Sequence, residues 1–229
     1  MLVVVVAPGA ATLWVSTPSG ADIQDRVLAA TRSHGVGLLS PSQVPRVLAE
    51  AVVATEDERF YAHHGVDSIG LGRALLYDAA NLCPCQGGST ITEQLVKDVY
   101  LGGTDLGYHK LEDMALALKV ERVIGKDQIM ADYLSEIPTG FGRYGVSAAA
   151  CAYFHAPLSN LTLGQYALLA GVAQAPSIYD PTINPGAAQA RRKEVLAGLL
   201  ADHYISASEA TAAGQEPILV SNTEAPLGC

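Results

Sequence analysis

Positive charge is scarce in this sequence. Its 229 residues carry 14 Lys and Arg against 23 Asp and Glu, a formal net charge of −9. A protein that neutralises phosphate backbones needs basic stripes, which argues against nucleic acid as the main partner. No Lys or Arg falls between Arg73 and Lys97. Cysteine is sparse too: Cys83, Cys85, Cys151 and Cys229 are all there are. Cys83 and Cys85 stand too close together for half of a zinc ribbon, and no second pair follows. Disulfides in an oxidising compartment and buried thiols both remain open. No H-E-x-x-H spacing and no G-x-x-x-x-G-K-[ST] loop occurs, which removes the commonest zinc helix and the nucleotide phosphate loop. No apolar run reaches the roughly 20 residues that a membrane-crossing helix needs. The opening MLVVVVAPGAATLWV stops short of that, is broken by Pro8 and Gly9, and has no Lys or Arg before it. It reads either as a truncated signal anchor or as a strand packed on the body.

What is present is apolar residues, at 49% of the chain, and helical periodicity. The length suits one domain with room for a small lobe. The expected organisation is an apolar N-terminal segment over 1–20, a domain over 21–214 and a tail over 215–229. Helical spacing is read over 41–56, with Pro45 in the first turn, and over 67–80, with Asp67 as N-cap. It recurs over 89–100, 109–124, 126–136, 146–154, 163–174 and 185–203. Gly102-Gly103 and Gly125 stop two of these helices. The glycine-rich 138–145 cannot be regular helix. Strand signals are confined to the opening valines and 35–40. The expected class is mainly α.

Three stretches carry chemistry. TEDERFYAHHGVD (55–67) crowds acids, aromatics and histidines into a chain otherwise poor in charge. Read as a helix end, it puts Glu56, Phe60 and His63 at i, i+4 and i+7 on one face. A partly desolvated carboxylate there is a candidate base. Taken alone, such a cluster is more often a capped helix end, whereas a metal site is disfavoured because His63 and His64 are adjacent and diverge on a helix. In GGSTITEQLVKD (87–98), two glycines and a Ser-Thr pair open a helix, and the free N–H groups of such a start bind anions. Thr90, Gln94 and Lys97 form a polar stripe. The plain alternative is a Ser N-cap with a Glu near N3 or N4. In HKLEDMALALKVER (109–122), Lys110, Asp113 or Met114, Ala117 and Glu121 follow one helical stripe, where an acid is either the second carboxylate of a pair or, as is commoner, part of a surface ion pair. Lys97, Lys110, Lys119, Arg122, Lys126 and Arg143 are ordinary helix surface or a local cationic pocket in an acidic protein.

The order of these stretches resembles the peptidoglycan glycosyltransferase family, the lysozyme-like domain of bifunctional penicillin-binding proteins and of monofunctional transglycosylases. TEDERFYAHHGVD is similar to the family's E-D-x-x-F-x-x-H-x-G at Glu56, Asp57, Phe60, His63 and Gly65. GGSTITEQLVKD resembles G-G-S-T-I-T-Q-Q-x-x-K-N, HKLEDMALALKVER the R-K-x-x-E helix, and KDQIMADYLSEIPTGFGRYGV the K-x-x-I-L-E-x-Y-L-N segment with its glycine loop. AAACAYFHAPLSNLTLGQYALLAGVAQAPSIYDPTINP resembles the family's Y-F-G-K and A-L-L-A-x-x-x-x-P-x-x-Y-x-P stretch. The likeness runs from about 41 to 200.

The resemblance implies a mainly helical, lysozyme-like domain with a small membrane-proximal jaw. It implies polymerisation of lipid II on the outer face of the bacterial cytoplasmic membrane, with inversion at the donor C1 and departure of undecaprenyl pyrophosphate. On the matching positions, Glu56 is the base and Asp113 the second catalytic acid. Asp57, Phe60, His63, Gly88, Ser89, Thr90, Gln94, Lys97 and Lys110 are the substrate-binding set. No protein-bound metal and no obligatory cofactor are expected, with Mg or Mn at the pyrophosphate as an optional addition. The implied partners are lipid II, the growing glycan, the membrane surface and a transpeptidase. No S-x-x-K is present, so a transpeptidase module is not expected within this sequence, which reads as a monofunctional enzyme or an excised domain.

The sequence departs from the family pattern at His109, Asp113, Glu93, Asp98, Ala131 and Ser135, each of which shortens reach, removes positive charge or adds negative charge. Asp132 or Glu136 is a candidate compensation. These departures motivate a second hypothesis, a non-catalytic lipid II binder or scaffold. A glycan hydrolase leaves GGSTITEQLVK unexplained.

Overall fold

The computed structural model describes residues 11–82, 87–103, 109–140, 142–218 and 220. The described elements are helical: α1 (residues 11–16), α2 (Ile23–Ser33), α3 (Arg46–Glu56), α4 (Ser68–Asn81), α5 (Ile91–Leu101), α6 (His109–Val120), α7 (Lys126–Glu136), α8 (Val146–Phe154), α9 (Leu163–Gln174), α10 (Pro176–Tyr179), α11 (Pro185–Ala201) and α12 (Ala207–Gln215). Among the described residues there is no strand, only isolated bridges at His64–Val66 and Pro138–Tyr144. The strand expected over 35–40 is therefore corrected to irregular chain. The opening valines lie outside the described residues. No described helix is long and apolar enough to cross a membrane.

The chain divides into two compact units. One comprises the described residues up to Ala29 together with Arg59–Ile129; the other comprises Ala30–Glu58 and the described residues from Met130 onward. In the first unit α5 packs on α6, burying Ile91, Leu95 and Val96 with Leu116, Ala117 and Val120. α4 buries Ala74 but leaves Ile69, Leu75, Leu76 and Tyr77 exposed. Asp67 caps α4 as expected, its side chain accepting from the Ile69 N–H at 3.1 Å. α1 is held by Lys119 of α6, which donates to the Trp14 carbonyl at 2.6 Å and to the Thr17 carbonyl at 2.8 Å.

In the second unit α9 is the centre. Its sequence LGQYALLAGVAQ is apolar on every side, which fits only a helix surrounded by others, and Gly164 and Tyr166–Val172 are buried. α3 and α11 pack against it and against each other. Leu168 and Val172 of α9 meet Ala188 of α11, with Phe154, Tyr179 and Ile218 around them. The stretch read as a tail begins fastened: Glu216 accepts from Thr162 Oγ1 at 2.6 Å, and its carbonyl accepts from the buried Arg192 guanidinium. Residues 221–229 lie outside the description.

The glycine loop after α7 turns as its composition requires. Gly145 has φ +76°, and a Cβ there would stand 2.6 Å from the Ser135 carbonyl oxygen, so no other residue fits without movement. Cys151 on α8 is disulfide-bonded; Cys83, Cys85 and Cys229 lie outside the described residues.

Candidate active site

Glu56 is the last residue of α3. The helix ends there because Asp57 leaves helical geometry, with φ −158° and ψ 72°, while its N–H still donates to the Val53 carbonyl at 3.1 Å. Residues 58–63 then run in turns. The expected single helical face carrying Glu56, Phe60 and His63 is thus corrected: Glu56 is on the helix and the other two are on the turns beyond it. Glu56 and Asp57 belong to the second unit, Phe60 and His63 to the first.

The Glu56 side chain is only 8% exposed, and Arg191 of α11 brings a guanidinium nitrogen to 3.8 Å from its carboxylate. Arg191 also donates to Glu194 at 2.9 Å and lies over the Tyr179 ring. Its stem passes α9 where the residue is Gly171; a Cβ there would come within 2.8 Å of the Arg191 Cγ. Gly171 therefore makes the room that lets the cation reach Glu56. The reading of the sequence missed Arg191. Its signal was the basic cluster Arg191-Arg192-Lys193.

In the first unit, Phe60 is fully buried and His63 nearly so. Lys126, at the start of α7, fixes both. Its ammonium sits 4.3 Å from the Phe60 ring centroid and 3.5 Å from His63 Nδ1. It also donates to Glu121 at 2.7 Å, and Glu121 accepts from Thr92 of α5 at 2.6 Å. Gly65, two residues past His63, lies against the α6 backbone with φ +87°, where a Cβ would be 2.7 Å from Ala117 C and Leu118 N.

The Ser-Thr helix start is built around Thr90, not Ser89. Thr90 is the N-cap of α5, its Oγ1 accepting from the Glu93 N–H at 3.1 Å and donating to the Gly65 carbonyl at 2.7 Å. The expected Ser N-cap is corrected accordingly. Ser89 instead accepts from Lys110 of α6 at 2.7 Å. Gly88 stands half-buried against Leu71. Gln94 and Lys97 follow on α5, each partly exposed.

Lys110 is not an isolated cation. It forms an ion pair with Glu93, whose side chain is 2% exposed. Burial pushes the Glu93 carboxyl above its ordinary range; the Lys110 ammonium pulls it down, and Asp113 pushes it up again. Asp113 is buried on α6. His109, at the position of the family's arginine, bonds Glu112 at 2.6 Å. In the second unit Ser135 accepts from the Leu39 N–H at 2.9 Å, and Glu136 meets His34 at 3.0 Å, so Glu136 already has a partner there.

Among the described residues no group of three or more His, Cys, Asp or Glu side chains converges as metal ligands.

The family model described as Transglycosylase matches residues 24–200. The chain belongs to the transglycosylase family. It is 41% identical over 180 residues to penicillin-binding protein 1A of Haemophilus influenzae, covering 79% of this chain and 21% of that protein. It is 37% identical over 175 residues to penicillin-binding protein 1F of Bacillus subtilis, covering 76% of this chain and 24% of that protein. The chain thus spans about a fifth of the length of these relatives. A crystal structure of the Haemophilus influenzae protein aligns with a TM-score of 0.42 at 40% identity, over 44% of this chain and 15% of that one.

Proposed function

We propose that this chain polymerises lipid II into glycan strands. Glu56 takes the proton from the 4-hydroxyl of the acceptor sugar as that oxygen attacks C1 of the growing donor. The C1–oxygen bond to undecaprenyl pyrophosphate breaks, with inversion, and the diphosphate leaves with the electron pair. Base catalysis of this kind is typically worth on the order of 10²–10⁴ in rate. Lys110, Lys97 and the α5 start, with Ser89 and Thr90, stabilise the charge on the leaving diphosphate. Asp113 is the second acid, and Phe60 and His63 hold the segment that follows the base. Mg or Mn enters only as an optional companion of the diphosphate, and no step depends on it.

The observation that carries this reading is the buried Glu56 carboxylate at the end of α3 with Arg191 beside it, in a chain of the transglycosylase family. The exposed apolar side chains of α4 support work at a membrane surface, with the extracytoplasmic face as the proposed location and a transpeptidase as the proposed partner. Labelled lipid II tests it, with and without a divalent ion. The parent protein gives polymer and Glu56→Gln loses it by about a hundredfold or more. Equal polymer from both removes Glu56 as the base.

One observation favours a second reading, a lipid II binder without turnover: the Lys110 ammonium is already paired with Glu93. That reading predicts binding and no polymer, and no rescue by Asp113→Glu.

A further inference from the structure

We propose that Glu93 is an internal counter-ion that competes with the leaving diphosphate for Lys110, so that diphosphate binding is coupled to proton uptake by Glu93. This rests on the reading above that Lys110 meets the diphosphate.

The geometry is local to the first unit. Glu93 sits in the first turn of α5, where a capping Glu normally folds back onto its own N-cap. Here its backbone N–H donates to Thr90, while its carboxylate reaches across to α6 and pairs with Lys110. An ammonium has three donors; Ser89 takes one at 2.7 Å and Glu93 another. The Lys110 side chain is 37% exposed against 2% for Glu93. An anion arriving from solvent therefore meets the lysine first, with a buried carboxylate directly behind it. The charged groups facing Glu93 from α6 are Lys110 and Asp113; on its own helix Lys97 stands one turn on, at i+4.

A diphosphate drawn to Lys110 adds a second anion to a lysine that already has one. Two outcomes relieve the repulsion: the anion is refused, or Glu93 takes a proton from water and becomes a neutral donor. Burial already favours the neutral form, and Asp113 adds to it. The family motif has glutamine at this position, neutral from the start and of the same shape. Glu93 is neutral only when protonated. The consequence is a pH-gated leaving-group site.

The test is calorimetric binding of geranyl pyrophosphate to the whole chain, from mildly acidic to mildly alkaline pH. Glu93→Gln binds more tightly than the parent at alkaline pH by at least about tenfold, and the gap closes as the solution is acidified. The probe's own ionisation is common to both proteins and cancels. Measured in two buffers of different ionisation heat, the parent takes up close to one proton more per probe bound than Glu93→Gln. A readout on the parent alone stands even if the variant folds poorly. Difference infrared spectra on adding the probe, which has no carboxyl, gain a carboxylic-acid carbonyl band. Binding with the same pH profile and proton count in both proteins, or no such band, overturns the proposal while leaving Lys110 as the diphosphate contact. No binding by either protein at any pH overturns both. Binding as described without polymer from lipid II supports the proposal and overturns turnover alone.

Discussion

The Arg191 guanidinium lies 3.8 Å from the Glu56 carboxylate, and the two side chains are only 11% and 8% exposed. An ion pair so far from water stabilises mainly through what its loss would leave behind: a buried charge with its counter-ion gone. Arg191→Met is expected to cost about 3 kcal/mol of stability by urea unfolding. It should also lower kcat about tenfold or more with a smaller change in KM. Arg191→Lys should recover part of both, because the charge returns without the planar fork. An unchanged kcat in the folded Met variant means Arg191 does not serve the base.

Gly65→Ala should be among the most disruptive single changes in the first unit. The new methyl group would meet the α6 backbone at 2.7 Å, in a conformation with φ +87° that L side chains rarely adopt. Left-handed backbone and overpacking together cost about 2–5 kcal/mol. The check is a thermal melt beside Gly35→Ala, which has a similar positive φ but nothing within 4 Å of the added Cβ. Equal losses from the two would show that contact with α6 does not matter.

Lys126 ties the Phe60–His63 turns to Glu121 and, through it, to Thr92. Lys126→Met leaves Glu121 buried and charged, at about 3 kcal/mol. Adding Glu121→Gln should return part of that loss, and the double-mutant cycle measures the coupling. Strict additivity in denaturant melts would contradict it.

The pH dependence of stability follows from Glu93. Burial raises its carboxyl in the folded state above the unfolded value of 4.5, in spite of Lys110. A raised acid binds its proton more readily when folded, so the ionised form costs stability above the folded value, and that cost fades as the pH falls toward 4.5. The stability of Glu93→Gln relative to the parent should therefore rise from about pH 4.5 toward neutral and fall back on acidification. A difference that grows on acidification would reverse the sign.

Much of the helical framework was legible in the sequence. α7, α8 and α9 begin and end where periodicity, glycine and capping residues place them, because those signals are local. α2, IQDRVLAATRS, was passed over between turn-rich and apolar neighbours. The motif residues were legible as types and not as geometry. The i, i+4, i+7 stripe assumed that α3 continues past Glu56, whereas Asp57 breaks it. The Glu93–Lys110 pair depends on how α5 packs on α6, which spacing along the chain does not encode. Arg191 shares a unit with Glu56 through α3 and α11, helices more than a hundred residues apart in sequence.

Lys119 gives the molecule a mechanical property. Its three hydrogen bonds to Trp14 and Thr17 clamp the end of α1 to α6. Loosening α1 therefore costs hydrogen bonds made by the same helix that carries Lys110 and Asp113.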